Sequence, residues 1–247
     1  MERDKLTPNF SFYQPVLSSE RLNNLIKNNP FMPLADAVYY VIADDIVHFR
    51  VLPESKLAAS RIAAELNVSR TPVKMALGLL EKDGLVRSCD GKGYIVSPFD
   101  PTEYQNFFRL RTELEAGAIR LACEKITPEQ IKALKHIQKK LALAYETDNW
   151  DQIANGEQNF HQAIIKASGN NYFISAYRSL YQQIRRYRIY LFFDLENVPR
   201  INAYHRLIIT ALESGSADFC ETMIREHLTR VPLTYSDYLN VREHFSN

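Results

Sequence analysis

Six histidines punctuate the chain, at positions 48, 136, 161, 205, 227 and 244. Three of them have apolar neighbours in stretches with helical periodicity: Phe160-His161, His205 ahead of Leu207-Ile208-Ile209, and His227-Leu228. Glu157 precedes His161 by four residues, so both project from one face of a helix. A carboxylate and an imidazole at that spacing can share a divalent cation, with His205 and His227 arriving from other helices. The same residues also read as histidines satisfied inside a core or at its surface, and spacing alone leaves both readings open.

A second set of residues suits a different chemistry. In Ser69-Arg70-Thr71-Pro72-Val73-Lys74, Arg70 and Lys74 share the helix face opposite Val73, Ala76, Leu77 and Leu80, with Thr71 beside them. A helix fits the major groove, and its first residues reach base edges. Arg70 offers a fork to guanine, and Lys74 reaches a base or a phosphate. The Ser69 and Thr71 hydroxyls, with the open N–H groups of the first turn, suit phosphate. Lys92, at the tip of an expected hairpin, can touch an adjacent groove. The alternative is a solvated basic face on a short helix. Residues 33–98 carry eight Lys and Arg against eight Asp and Glu, so no bulk electrostatic attraction favours nucleic acid.

The elements that would position these residues follow from periodicity and caps. Residues 1–32 form a polar extension with one short helix from Ser19, on which Leu22, Leu25 and Ile26 share a face. Over 33–98 the pattern predicts helices at about 34–49, 60–66 (capped by Ser60) and from Ser69 or Thr71 to near Gly84. Leu85-Val86 and Tyr94-Ile95-Val96 then flank Asp90-Gly91-Lys92-Gly93 as a hairpin. Three helices and a hairpin make a winged helix-turn-helix. A linker at 99–102 leads to a glycine-poor, all-α region at 103–235 and a tail at 236–247. Six helical segments are expected there, at about 102–125, 128–147, 149–168, 170–194, 199–213 and 216–231, with Asp100 or Thr102, Thr127 and Asn149 as caps and Gly169 and Gly215 as stops. The expected fold is thus mainly α: an N-terminal winged helix and a C-terminal six-helix bundle.

Composition narrows the classes. With 247 residues, 46% hydrophobic and 24% charged, the chain suits one or two globular domains and not disorder throughout. Three cysteines without a CxxC encode neither a disulfide scaffold nor a zinc ribbon and fit a reducing cytoplasm. No apolar run reaches the ~18 residues of a membrane span, and the mixed-charge N-terminus is no secretory signal. A net charge of +1 leaves any DNA binding to local placement of charge.

The segment LAASRIAAELNVSRTPVKMALGLLEKDGLV…GKGYIV, over about 57–96, resembles the winged helix of the bacterial GntR superfamily. Arg70 and Lys74 fall where that family places base- and phosphate-contacting residues. The segment departs from the family pattern where Arg50-Val51-Leu52-Pro53-Glu54 stands for Gly-x-x-Pro-Gly, Asn67 for a corner glycine, and Ala59-Ser60 for a polar pair leading the second helix. Residues 103–230 resemble the FCD ligand-binding domain of the FadR-type branch. Arg111-x-x-Leu114-Glu115, Glu157-x-x-Phe160-His161 with Ser168-Gly169-Asn170, His205-x-x-Ile208 and His227-Leu228 carry the likeness, and six helices point to the VanR-like subgroup.

The resemblance implies a transcription regulator, not an enzyme. Such a regulator would bind double-stranded operator DNA, as a homodimer reading two half-sites, and would hold a divalent metal (zinc, nickel or manganese) on Glu157, His161, His205 and His227. A small organic acid would complete the metal shell, with Arg111 as a carboxylate clamp; Arg111 can alternatively pair with Glu115 at i+4. Two other readings stay open. One is a metal-dependent hydrolase on the same four residues, although no HExxH, GxSxG or phosphate loop accompanies them. The other is an architectural DNA binder with a structural metal. The run 181–188, rich in arginine, reads as a bundle helix or as a second DNA patch.

Overall fold

The computed structural model describes residues 17–89, 93–147, 149–188 and 198–229. The expected contact residue Lys92 and the tail at 236–247 lie outside them. The chain divides into two compact units, one built on Ser11–Phe99 and one on Asp100–Tyr181 with Tyr187–Asp237; Gln182–Arg186 group with the first.

In the first unit, α1 (Ser19–Asn28) precedes α2 (Leu34–Val47), β1 (Lys56–Leu57), α3 (Ala59–Leu66), α4 (Arg70–Lys82), β2 (Val86–Ser88) and β3 (Tyr94–Val96). The hairpin expected from the sequence gains a third strand, because β1 pairs antiparallel with β3 and gives the order β1-β3-β2. Two residues of strand are too short to leave a periodic signal. Val38, Val41, Ile42 and Ile46 of α2, Ile62 and Leu66 of α3, and Val73, Ala76, Leu77 and Leu80 of α4 form one core. Leu17 and Leu22 close this core, so the described part of the extension, from Leu17 on, packs on the winged unit. Arg21 of α1 also bonds Asp44 (2.8 Å) and the fully buried Asp45, which accepts further bonds from Leu17 N–H (2.9 Å) and Arg50 Nε (2.6 Å).

Helix α3 begins one residue earlier than expected, with Ala58 at the cap position and no side-chain cap bond from Ser60. It ends on Asn67 in the left-handed region (φ +54°), the conformation that a corner glycine would supply. Glu54, which stands for the second glycine of Gly-x-x-Pro-Gly, also has positive φ (+67°), whereas Arg50, at the first, does not. The turns keep their shape without glycine, at a cost of roughly 1 kcal/mol each.

The second unit holds α5 (Pro101–Lys125), α6 (Pro128–Glu146), α7 (Trp150–Ala167), α8 (Asn171–Ser179), α10 (Val198–Ser214) and α11 (Ala217–Thr229), while α9 (Tyr181–Arg188) straddles the division. The fourth expected segment is therefore two helices with Leu180 between them, and seven helices, not six, follow Pro98 among the described residues. Apolar periodicity runs through a one-residue break, so the sequence pattern does not reveal it. Asp100 caps α5, Thr127 and Gln130 form a capping box on α6, and Asn149 and Asn170 cap α7 and α8. Gly169 and Gly215, both with positive φ, stop α7 and α10. Helix α5 packs on α11 and α7, α6 on α7 and α10, and α10 on α11. Ile119, Phe160, Ile164, Ile208, Leu212 and Ile224 lie in the core between them. No helix among the described residues is long and apolar enough to cross a membrane.

Candidate metal centre and nucleic-acid interface

Helix α7 carries Glu157 and His161 one turn apart, α10 carries His205 and α11 carries His227; all four are buried. Their ligand atoms converge to within 4.8 Å of one another. His227 Nε2 lies 3.1 Å from His161 Nε2 and 3.2 Å from His205 Nε2. Glu157 Oε2 stands 3.7 Å from His205 Nε2 and 3.9 Å from His161 Nε2. Four donors around a cation with bonds near 2.05 Å would sit about 3.3 Å apart. Both distances from His227 meet that spacing, and the carboxylate is about half an ångström outside it from His161 and His205.

The atoms on the far side of these ligands explain why this is more than four polar groups in a core. His161 Nδ1–H donates to Glu115 Oε2 at 2.6 Å. His205 Nδ1–H donates to Gln138 Oε1 at 3.0 Å, while Gln138 Nε2 donates to Asn202 Oδ1 at 2.9 Å. Tyr145 O–H donates to Glu157 Oε1 at 3.0 Å. With their Nδ1–H groups given outward, His161 and His205 each turn Nε2 toward His227. One proton on His227 Nε2 points along only one of these two contacts at a time. A cation between the rings would be held by all three nitrogens at once, and the donor set therefore fits a divalent metal. Burial, with the neighbouring His205 and His161, holds His227 well below the ordinary histidine range and keeps it neutral. Phe160 stacks on His205, with ring centroids 4.1 Å apart, and limits its rotation.

Arg111 and Glu115, one turn apart on α5, are 3% and 1% exposed and form a 2.7 Å ion pair through Arg111 Nε. The i+4 pairing considered for Arg111 therefore forms, but in the interior, where removing one partner is costly. Burial would raise the Glu115 carboxyl; the charges of His161 and Arg111 and their hydrogen bonds outweigh it and hold the group well below its usual range. Glu115 thus links Arg111 to His161. Sequence reasoning placed Glu115 only in a family motif and as a partner for Arg111. It missed Gln138 and Tyr145, which lie two turns apart on α6 and whose only signal is polarity on an otherwise apolar face.

In the first unit, Ser69, Arg70, Thr71 and Lys74 are all exposed at the start of α4. Ser69 occupies the N-cap position without a side-chain cap bond, which leaves its hydroxyl and the first-turn N–H groups directed outward. Val73, Ala76, Leu77 and Leu80 are fully buried and fix the helix against the core. The arginine-rich run forms a helix, as one of its two readings expects. Arg185 bonds Asp44 Oδ1 at 3.0 Å and Arg186 donates to the Pro98 carbonyl at 2.9 Å.

Comparison with known proteins gives the family. The profile described as "Bacterial regulatory proteins, gntR family" matches residues 34–96, and that of the FCD domain matches 106–230, just over half of the chain. The HTH-type transcriptional repressor RspR of Escherichia coli is 26% identical over 204 residues, covering 82% of this chain and 89% of that protein. The Nta operon transcriptional regulator of Aminobacter aminovorans is 27% identical over 188 residues, covering 74% and 84%. The solved structure of E. coli McbR/YncC superposes with a TM-score of 0.67 at 21% identity, covering 87% of this chain and 99% of that one, a likeness of fold. The family and these relatives are transcription regulators rather than enzymes. With a DNA-binding winged helix followed by an FCD domain, this chain belongs to the GntR family of bacterial transcription regulators.

Proposed function

We propose that this regulator binds its operator as a homodimer under the control of a small organic acid that docks beside a divalent metal held by Glu157, His161, His205 and His227. The convergence of three Nε2 atoms at 3.1–3.2 Å, with outer partners holding His161 and His205, carries the reading. Zinc, nickel and manganese all accept such nitrogen and oxygen donors. A bound cation would tie α7, α10 and α11 together and offer its remaining coordination positions to a carboxylate. Glu115 and Gln138 hold two imidazoles in the tautomer that presents Nε2, and Tyr145 holds the Glu157 carboxylate.

Arg111 is the clamp for the acid. Its Nε holds the ion pair with Glu115, and the planar fork of the guanidinium matches the geometry of a carboxylate. An acid that draws on Arg111 also loads the bond from Glu115 to His161, which couples the ligand to the metal shell. Ser69, Arg70, Thr71, Lys74 and Lys92 meet the operator, and two-fold pairing reads two half-sites, in the cytoplasm where the DNA is. The functional parts are an extension at 1–32, a winged helix at 33–98 and a sensing bundle at 103–235.

Elemental analysis of metal-reconstituted protein, with melting curves before and after chelation, tests the metal. About one divalent ion per chain and a lower melting temperature after chelation are expected. No metal and no response to chelator would reject the centre. Gel shifts on promoter DNA across a panel of organic acids test the effector, and light scattering tests the dimer.

A further inference from the structure

The outward midline of α4 is not basic. At about 100° per residue, the buried face of Val73, Ala76, Leu77 and Leu80 centres roughly opposite Thr71, Met75 and Gly78, whereas Arg70 and Lys74 lie along one flank. Met75 is 59% exposed, an apolar side chain left in water, and it sits one turn beyond Thr71. Gly78 is exposed in the middle of a helix, where glycine costs roughly 0.5–1 kcal/mol relative to alanine. Its φ is not positive, and a Cβ built there meets nothing within 4 Å, so neither the backbone nor packing within the chain calls for glycine. A clear space at Gly78 and a protruding thioether at Met75, beside two cations, form a surface for a polyanion with apolar features on its edge.

We propose that Met75 is a specificity-determining residue that reads the C5-methyl of a thymine in the major groove, and that Gly78 is kept free of a side chain so that the duplex can approach α4. The inference rests on the DNA-binding role of α4 and deepens it. Thymine is the base that presents a methyl group in that groove, and apolar side chains are its complement. Met75 suits it because its unbranched, polarisable side chain adapts to an apolar contact at little steric cost. Arg70 and Lys74 supply the charge complementarity on the flank, and Met75 supplies discrimination next to the base that Arg70 reads.

The test uses the full-length protein and a duplex enriched by it from a random double-stranded library. Each thymine is replaced singly by deoxyuridine, which removes only the methyl group. Affinities are measured for wild type, Met75→Ala, Gly78→Leu and Arg70→Ala, with melting curves as a folding control. At one thymine per half-site, the replacement should weaken wild-type binding about three- to tenfold. Met75→Ala should lose a similar factor on unmodified DNA and nothing further at that deoxyuridine. Gly78→Leu should keep or raise the melting temperature while weakening binding more than tenfold. Unchanged binding by Met75→Ala, or a loss that adds to the deoxyuridine loss at every thymine, overturns the proposal. So does a change in oligomeric state of Met75→Ala, which would assign the face to a second copy of the chain. If no sequence is enriched, or Arg70→Ala binds as wild type, the role of α4 fails and Met75 fails with it. Loss of binding by Arg70→Ala with none by Met75→Ala overturns the thymine contact alone.

Discussion

The two polar constellations of this protein solve opposite problems. Around His161, His205 and His227 the ligands, Glu115 and Gln138 are buried and Tyr145 is half-buried, and these outer partners occupy the atoms that do not face the centre. At the start of α4, Ser69, Arg70, Thr71 and Lys74 are exposed, and Ser69 makes no cap bond. Low dielectric makes a buried polar group expensive unless it is satisfied, so the interior holds its ligands rigidly and for one kind of guest. The α4 surface stays solvated and draws affinity from phosphate neutralisation on binding. Rigidity is therefore built into the sensing unit, and in the reading unit it resides in the helix backbone, with mobile side chains at the surface.

That contrast predicts a graded set of losses. The largest belongs to the ligands: His205→Ala and His227→Ala should each reduce bound metal from about one per chain to near zero by elemental analysis. With free metal at a thousandfold its Kd, the lost linkage is about 4 kcal/mol, read as a lower melting temperature, while the winged unit stays folded. Next comes the exposed surface. Arg70→Ala should cost about 1–3 kcal/mol in operator affinity and relax preference at one base position, with no change in melting temperature. Equal binding by this variant and wild type would remove α4 from the groove.

The outer partners come third. Glu115→Gln should weaken metal affinity about ten- to a hundredfold, measured by competition with a chelator, because it replaces the charged acceptor that orients His161 with a weaker, neutral amide. It also removes the charge opposite Arg111. The Glu115 carboxyl is held below its ordinary range, so the stability it contributes is complete above about pH 4.3 and is lost as the pH falls below that value. The difference in melting temperature between wild type and Glu115→Gln should accordingly be widest at neutral pH and close on acidification. Equal differences at pH 7 and pH 3 would contradict the assignment. The smallest effect is that of Tyr145→Phe, which leaves Glu157 in place but less well oriented and should weaken metal affinity by a few-fold in the same competition assay.

Much of this was legible without coordinates because it is local. Caps at Asp100, Thr127 and Asn149, stops at Gly169 and Gly215, and the alternation of buried and exposed residues on α4 depend on neighbours within one or two turns. The pairing of Glu157 with His161, and of Arg111 with Glu115, is likewise a matter of four-residue spacing. The amino-acid order by itself therefore determined the helices, the winged unit and which side chains could act together on one helix.

Only the tertiary structure decided what those side chains meet across helices. Strand β1 exists because β3 is there to pair with it, and the break at Leu180 has no periodic signature. His161, His205 and His227 are separated by 44 and 22 residues in the chain, yet their Nε2 atoms meet at 3.1–3.2 Å because α7, α10 and α11 pack around one core. The choice of Glu115, Gln138 and Tyr145 as outer partners follows from that packing alone. Hydrogen bonds reach about 3 Å, and which groups come within that reach of one another in the interior is set by how helices pack, which no spacing along a single helix encodes.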